Sequence, residues 1–128
     1  MFKMKKFSSS WKSSKKQKKQ RKYVFKAPLH IKQKLVHAHL SKELRKKYSK
    51  RNSSVRKGDK VKVLRGQFKK HEGKVERVDL KNIKIFIAGV EKTKKDGNKA
   101  LIGIHPSNLM IVDLNMDDKL RQKILERK

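Results

Sequence analysis

The chain contains no cysteine, which excludes disulfides and thiolate metal sites and leaves redox logic silent on its compartment. Long apolar runs are absent too. The longest are four residues, at 85–88 and 109–112, so no membrane span is expected. Residues 1–6 lead into Ser-rich basic sequence with no apolar h-region, so no secretory signal is expected either. Acids are scarce: 11 Asp and Glu stand against 39 Lys and Arg, a formal net charge of +28. No Ser/His/Asp or Cys/His grouping occurs, and the phosphate-loop and dinucleotide patterns are missing. The expectation is therefore no enzyme, no cofactor and no small-molecule substrate. Apolar residues make up 34% and charged ones 39%, below and above the usual globular balance. What is left is a polycation whose partner must be strongly anionic, and nucleic acid fits best.

The charge is unevenly laid out. Residues 1–54 hold 19 Lys and Arg and one acid, Glu43, whereas residues 55–128 hold 20 and 10. All six glycines lie in the second part, which concentrates turn chemistry and a compact sheet there. Four regions are expected: a basic extended arm over 1–27, a short helical segment over 28–54, a sheet domain over 55–113 and a C-terminal helix over 114–128. The acid-free arm repels itself and should stay extended until phosphates neutralise it. Trp11 within it can stack on a base or stand as a lone exposed aromatic; the sequence supports both equally.

Pro28 suits a first helical turn, and the pairs Ile31–Leu35 and Val36–Leu40 have i,i+4 spacing. Ser41 is a fitting N-cap for a second helix, with Glu43 in its first turn and Leu40, Leu44 and Tyr48 on one stripe. His37 and His39 would diverge on such a helix, and no cysteine or nearby acid completes a site, so no metal is expected. His30 and His105 are read as turn caps or sugar-phosphate contacts.

From Val55 the period becomes two. Val61 and Val63, then Ile83, Ile85 and Ile87, then Ile102 and Ile104, mark β-branched segments of a small antiparallel sheet or barrel. Val75 and Val78 break the alternation, which predicts a bulge or a corner. Lys95-Asp96-Gly97-Asn98 predicts a hairpin turn with Gly97 at positive φ. In the final helix Asp117 and Asp118 occupy the first turn as caps, Met116, Leu120 and Ile124 form the apolar stripe, and Arg127 and Lys128 lie at the negative end.

The stretch from Val55 to Asp79 reads as two glycine-bounded strands joined by a loop carrying Lys69, Lys70 and His71. Backbone N–H groups and lysines presented together suit phosphate. This stretch resembles the KOW motif. With Ala27-Pro28-Leu29-His30, Leu40-Ser41-Lys42-Glu43-Leu44-Arg45 and Ile104-His105-Pro106-Ser107-Asn108, it resembles the archaeal and eukaryotic form of large-subunit ribosomal protein twenty-four, called twenty-six in eukaryotes. The resemblance runs over about residues 18–118 and leaves residues 1–14 and 119–128 outside.

The resemblance implies an SH3-like β-barrel that binds large-subunit rRNA in its 5′ region, acts early in subunit assembly and lies near the polypeptide exit tunnel. The family's hairpin at the tunnel mouth corresponds to residues 89–99. Partners would be that rRNA and neighbouring large-subunit proteins, in the cytoplasmic ribosome. Gly58, Gly66 and Gly73 match the family's turn glycines, and Gly97 adds a fourth structural turn. Lys70 stands where relatives often carry Gly, which implies negative φ and one more phosphate contact.

The RNA contacts expected are Lys12, Lys15, Lys16, Lys18, Lys19, Arg21 and Lys22 in the arm. Those expected in the sheet domain are Arg56, Lys57, Arg65, Lys69, Lys70 and Lys74, with His105, Ser107 and Asn108. Three rivals are weaker. A transcription-associated KOW protein needs an additional αβ domain that residues 1–54, with one acid, cannot supply. DNA compaction would show no preference for RNA shape. A membrane-surface role needs aromatic anchors, and the arm holds only Trp11, Tyr23 and Phe25.

Overall fold

The computed structural model describes residues 7–127. The start of the arm, the side chain of Trp11 and Lys128 lie outside the described residues, so the expectations for them do not bear on the fold. A 3₁₀ turn, Ser9–Ser13, precedes helices α1 (Gln17–Lys26) and α2 (Leu29–Leu35). Strand β1 (His37–Leu40), helix α3 (Lys42–Tyr48) and strand β2 (Asn52–Ser54) follow. Then come β3 (Lys60–Val63), β4 (Glu72–Asp79), β5 (Lys84–Thr93), β6 (Lys99–Ile104), a 3₁₀ turn at Pro106–Asn108, β7 (Leu109–Asp113) and α4 (Lys119–Glu126). None of the described helices is long and apolar enough to cross a membrane.

The architecture is mainly β with helices. Seven strands form one mixed sheet in the order β2-β1-β7-β3-β4-β5-β6, in which only β1 and β7 run parallel. The expected closed barrel does not form: the sheet is open, with β2 and β6 at its edges. It nevertheless bends around a single core. Val61 and Val63 of β3, Val75 of β4, Ile85, Ile87 and Val90 of β5, and Leu109 and Ile111 of β7 belong to one buried cluster. The bend has two sources in the pairing. Register shifts between Val75 and Arg77, the bulge that the spacing of Val75 and Val78 predicts, and β5 slips against β6 between Phe86 and Glu91.

Several local expectations are met. Ser41 caps α3 by accepting the Leu44 N–H, and Gly97 turns the β5–β6 hairpin at φ 86°. Others are corrected. The arm, expected to be extended, coils into α1. Lysine and glutamine are good helix formers, and the Gln20 side chain donates to the Ser14 carbonyl while Phe7 and Tyr23 pack ring to ring at 5.0 Å. Val36 and Leu40 do not extend α2. That helix stops at Leu35, and the next residues enter the sheet as β1, hydrogen-bonded to β2 and β7. Ile83 is core, but it sits in the β4–β5 turn at φ 53° rather than in the strand.

The C-terminal helix is the largest correction. Leu120 is 67% exposed and Ile124 lies open beside it, so only Met116 of the expected stripe packs on the core. The face that α4 buries carries Arg121 and Leu125. Arg121, 2% exposed, grips the fully buried Asp59 with both terminal nitrogens, Nη1 to Oδ1 at 2.6 Å and Nη2 to Oδ2 at 2.7 Å. The same guanidinium donates to the carbonyls of Asn115 and Ser54, and Asp59 accepts the backbone N–H groups of Arg56 and Asn115. A bidentate pair with its remaining lone pairs filled is the geometry in which buried charges hold.

Replacing Arg121 by Leu would strand the Asp59 carboxylate in the core. We expect a loss of about 3–5 kcal/mol, read from the urea midpoint, and partial recovery when Asp59 is replaced by Asn in the same chain. A midpoint within error of the parent would refute the pair's role.

Candidate nucleic-acid interface

Three groups of cations emerge, set apart by the fold. The first is the arm. Lys12, Lys15, Lys16, Lys18, Lys19, Arg21 and Lys22 are all exposed, and α1 buries none of its residues. Lys32 of α2 is buried to 7% exposure and donates its ammonium to the Lys81 carbonyl at 2.9 Å, fastening α2 to the β4–β5 turn. Sequence reading missed this lysine, because nothing in the run of cations around it marks one as buried.

The second group lies at the opposite end of β4, roughly 25 Å away for a strand of this length. The loop from Leu64 to His71 is built by local bonds: Lys69 N–H to the Gly66 carbonyl, Lys70 N–H to Val63, and His71 N–H to Phe68. Gly66 takes φ 94°, and Lys70 takes φ 71°. The expectation of negative φ at Lys70 is therefore wrong: the loop needs a left-handed residue there, and the Val63 bond holds a lysine in it. His71 anchors the loop from below, with its Nε2 2.9 Å from the Ala88 carbonyl and its ring against Gly89. Gly73 is not at positive φ, as a turn residue would be. It lies inside β4 because β5 passes so close that a Cβ would sit 2.7 Å from the Ala88 oxygen.

The Pro106 turn docks beside this loop, since the Leu64 N–H donates to the Asn108 carbonyl at 2.9 Å. His105 caps that turn, its Nδ1 accepting the Ser107 N–H and sharing a hydrogen bond with the Ser107 hydroxyl. Arg65, Lys69 and Lys70, all exposed, are thus brought together with His105, Ser107 and Asn108. Lys74 faces Lys60 directly across the β3–β4 pair, and Glu72 lies 3.6 Å from both Lys60 and Lys62. Like charges opposite one another cost energy in a free sheet. An anion at this face relieves that cost.

The third group is Arg56 and Lys57, near α4. Arg56 is not open: its Nη1 is engaged by Asp118, which also caps α4 by accepting the Leu120 N–H. That bond, ahead of the Leu120 N–H, holds the Asp118 carboxyl below its ordinary range. Gly58, at φ 91°, follows the exposed Lys57. Nearby, a cleft between α2, the β1–β2 pair and α4 is lined by His30, Lys34, His37, Lys50 and Arg51 as well as Arg56. These residues are scattered along the sequence, and the packing of α2, the β1–β2 pair and α4 gathers them. His37 and His39 lie on a strand, not a helix, and so share a face. Burial, then Arg45 and Arg51, lowers the pKa of His39 and disfavours its protonated form.

A family model that describes eukaryotic ribosomal protein L26 and its archaeal counterpart, protein twenty-four, matches residues 14–128. The chain belongs to this family. As a member of the L26 family it is a structural constituent of the large ribosomal subunit, found in the cytoplasm within the ribosome. The match reaches further than the motifs did: α4, expected to lie outside it, is part of the region that the family shares.

Two outcomes follow. Gly73→Val forces a methyl into the Ala88 carbonyl and the Ile87 side chain, and overpacking of this kind costs about 1–3 kcal/mol. Thermal unfolding should drop by several degrees, and an unchanged midpoint would count against the close approach. The second outcome concerns pH. Burial first, then Lys84, lowers the His105 pKa from its ordinary 6.5, and His39 is lowered likewise. The folded chain then binds fewer protons than the unfolded one just below that value. Stability is full above about pH 6.5 and falls as pH drops through it. Urea midpoints taken from about pH 7.5 down to about pH 5.5 should decline; a flat series would contradict the shifts.

Proposed function

We propose that this L26-family protein binds the 5′ region of large-subunit rRNA, acts early in subunit assembly and lies near the polypeptide exit tunnel. The observation that carries the reading is the separation of charge. Asp59 is buried against Arg121, and Glu72, Asp79, Glu91, Asp96 and Asp118 engage neighbouring side chains, while the cations of the arm and of the β3–β4 loop are exposed. Affinity then comes from phosphate neutralisation, and the rigid loop, the Pro106 turn and the bent sheet set where the protein sits. Strands β7-β3-β4-β5-β6 are the part we read as the SH3-like KOW unit of residues 55–113, with residues 1–27 as the binding arm. The contacts are Lys12, Lys15, Lys16, Lys18, Lys19, Arg21 and Lys22 from the arm. The loop face adds Arg65, Lys69, Lys70, Lys74, His105, Ser107 and Asn108, and Lys57 lies beside α4. Arg56 contacts phosphate only by leaving Asp118. The Asp96–Asn98 turn of the β5–β6 hairpin, held by two side-chain bonds, is the segment that points to the tunnel in this reading.

The test is binding to large-subunit RNA fragments, 5′ domain against scrambled RNA of equal length, at about 200 mM salt, where purely non-specific contacts weaken steeply. We expect a clear preference for the 5′ domain; equal binding would refute the site. In the same assay, a chain without residues 1–22 loses 10 Lys and Arg and no acid. Its affinity should fall and its salt dependence should flatten, while the melting of the sheet holds, because α1 buries nothing. An unchanged slope would remove the arm from the interface.

A further inference from the structure

Phe25, in the last turn of α1, is 82% exposed, beside the exposed Val24. Two hollows meet at this ring. On one side Lys18, Arg21 and Lys22, seven, four and three residues earlier and so on the same helix face, line a shallow depression with it. On the other, Phe25 and Val24 look across a cavity of about 580 Å³ to Lys32 and the Lys81-Asn82-Ile83 turn. The cavity has an apolar wall from Val24 and Ile83 and one polar group of unusual kind. Lys32 is buried, and the bond to the Lys81 carbonyl is the one found for its ammonium among the described residues. An ammonium has three donors and no acceptor. The ammonium has donors beyond that one bond, and the cavity it lines has room for an acceptor.

We infer that this cavity takes an unpaired nucleobase of the bound RNA, an inference that rests on the RNA-binding reading above. The base stacks on the Phe25 ring, a carbonyl oxygen of its edge accepts from Lys32 Nζ, and the flanking phosphates meet Lys18, Arg21 and Lys22. A flat aromatic, a buried donor and a cationic rim are the three things a single-stranded nucleotide needs. The donor-only ammonium favours the keto bases, uracil and guanine, over adenine, which has no carbonyl.

The experiment uses the full chain and large-subunit RNA transcribed with 5-iodouridine, irradiated so that halogenated bases stacked on aromatic rings cross-link to them. A cross-link at Phe25 is expected. Phe25→Ala should abolish it and weaken binding about tenfold, in line with the loss of one stacked base, whereas Phe25→Tyr should keep both. The melting curve of the alanine variant should match the parent, as the ring is exposed. A Phe25→Ala chain that binds as the parent does would overturn the pocket, whatever the cross-links, and leave the RNA reading intact. Failure of the parent chain to bind the RNA at all would bring down both.

Discussion

The pair between Asp59 and Arg121 fixes how the last helix meets the sheet, beside the core contact of Leu125. Asp59 sits in the turn before β3, and Arg121 comes from the last helix. Through the Ser54 carbonyl, the Arg56 and Asn115 amides and the Asn115 carbonyl, the two side chains tie the end of β2 and the exit of β7 into the same knot. The core beside it consists mostly of valine, isoleucine and leucine in short strands. A core that small leaves the position of α4 undecided by packing alone. The directional bonds of one guanidinium decide it. Arg56, next to this knot, is drawn to Asp118 as a result, and a cation that belongs to the binding surface by type becomes part of the scaffold by position.

This use of acids extends through the chain. Asp59 and Asp118 hold arginines, Glu72 lies between two lysines of β3, and Glu91 reaches Lys99 across the hairpin. Asp79 and Asp96 brace tight turns through Asn82 and Asn98. A polycation that must fold before meeting its partner has few negative charges with which to offset its own repulsion. Placing them at turns and at the α4 junction fixes the backbone where the cations need a rigid mount, and leaves the outward field positive.

Local chemistry was legible in the sequence wherever a residue's role is decided by its immediate neighbours. The Ser41 cap, the turn at Gly97, the bulge after Val75 and the cap at His105 are of that sort, and so was the grouping of Lys69, Lys70 and His71 on one loop. The family, too, could be read from ordered motifs. What escaped was decided at long range. Residues 37–40 carry the apolar spacing of a helix, yet β7, some seventy residues later, offers a parallel edge that outweighs it. Arg121 looks like one more surface cation until Asp59 is found behind it, and the leucine and isoleucine with the spacing of a buried face on α4 are left outside. Lys70 shows the limit of residue statistics: a bond to Val63 and the anchoring of His71 hold it in a conformation that lysine by itself disfavours.

The open sheet has a consequence for the protein before it is assembled. Among the described residues, strand β6 ends the sheet without a further strand beside it and carries the sequence Lys-Ala-Leu-Ile-Gly-Ile, which is the kind of border along which copies of a chain can add to one another. Mutual repulsion between molecules of charge +28 keeps such borders apart. A polyanion that neutralised the surface would remove that protection and let copies approach edge to edge. The charge of this chain thus bears on its self-association as well as on what it attracts.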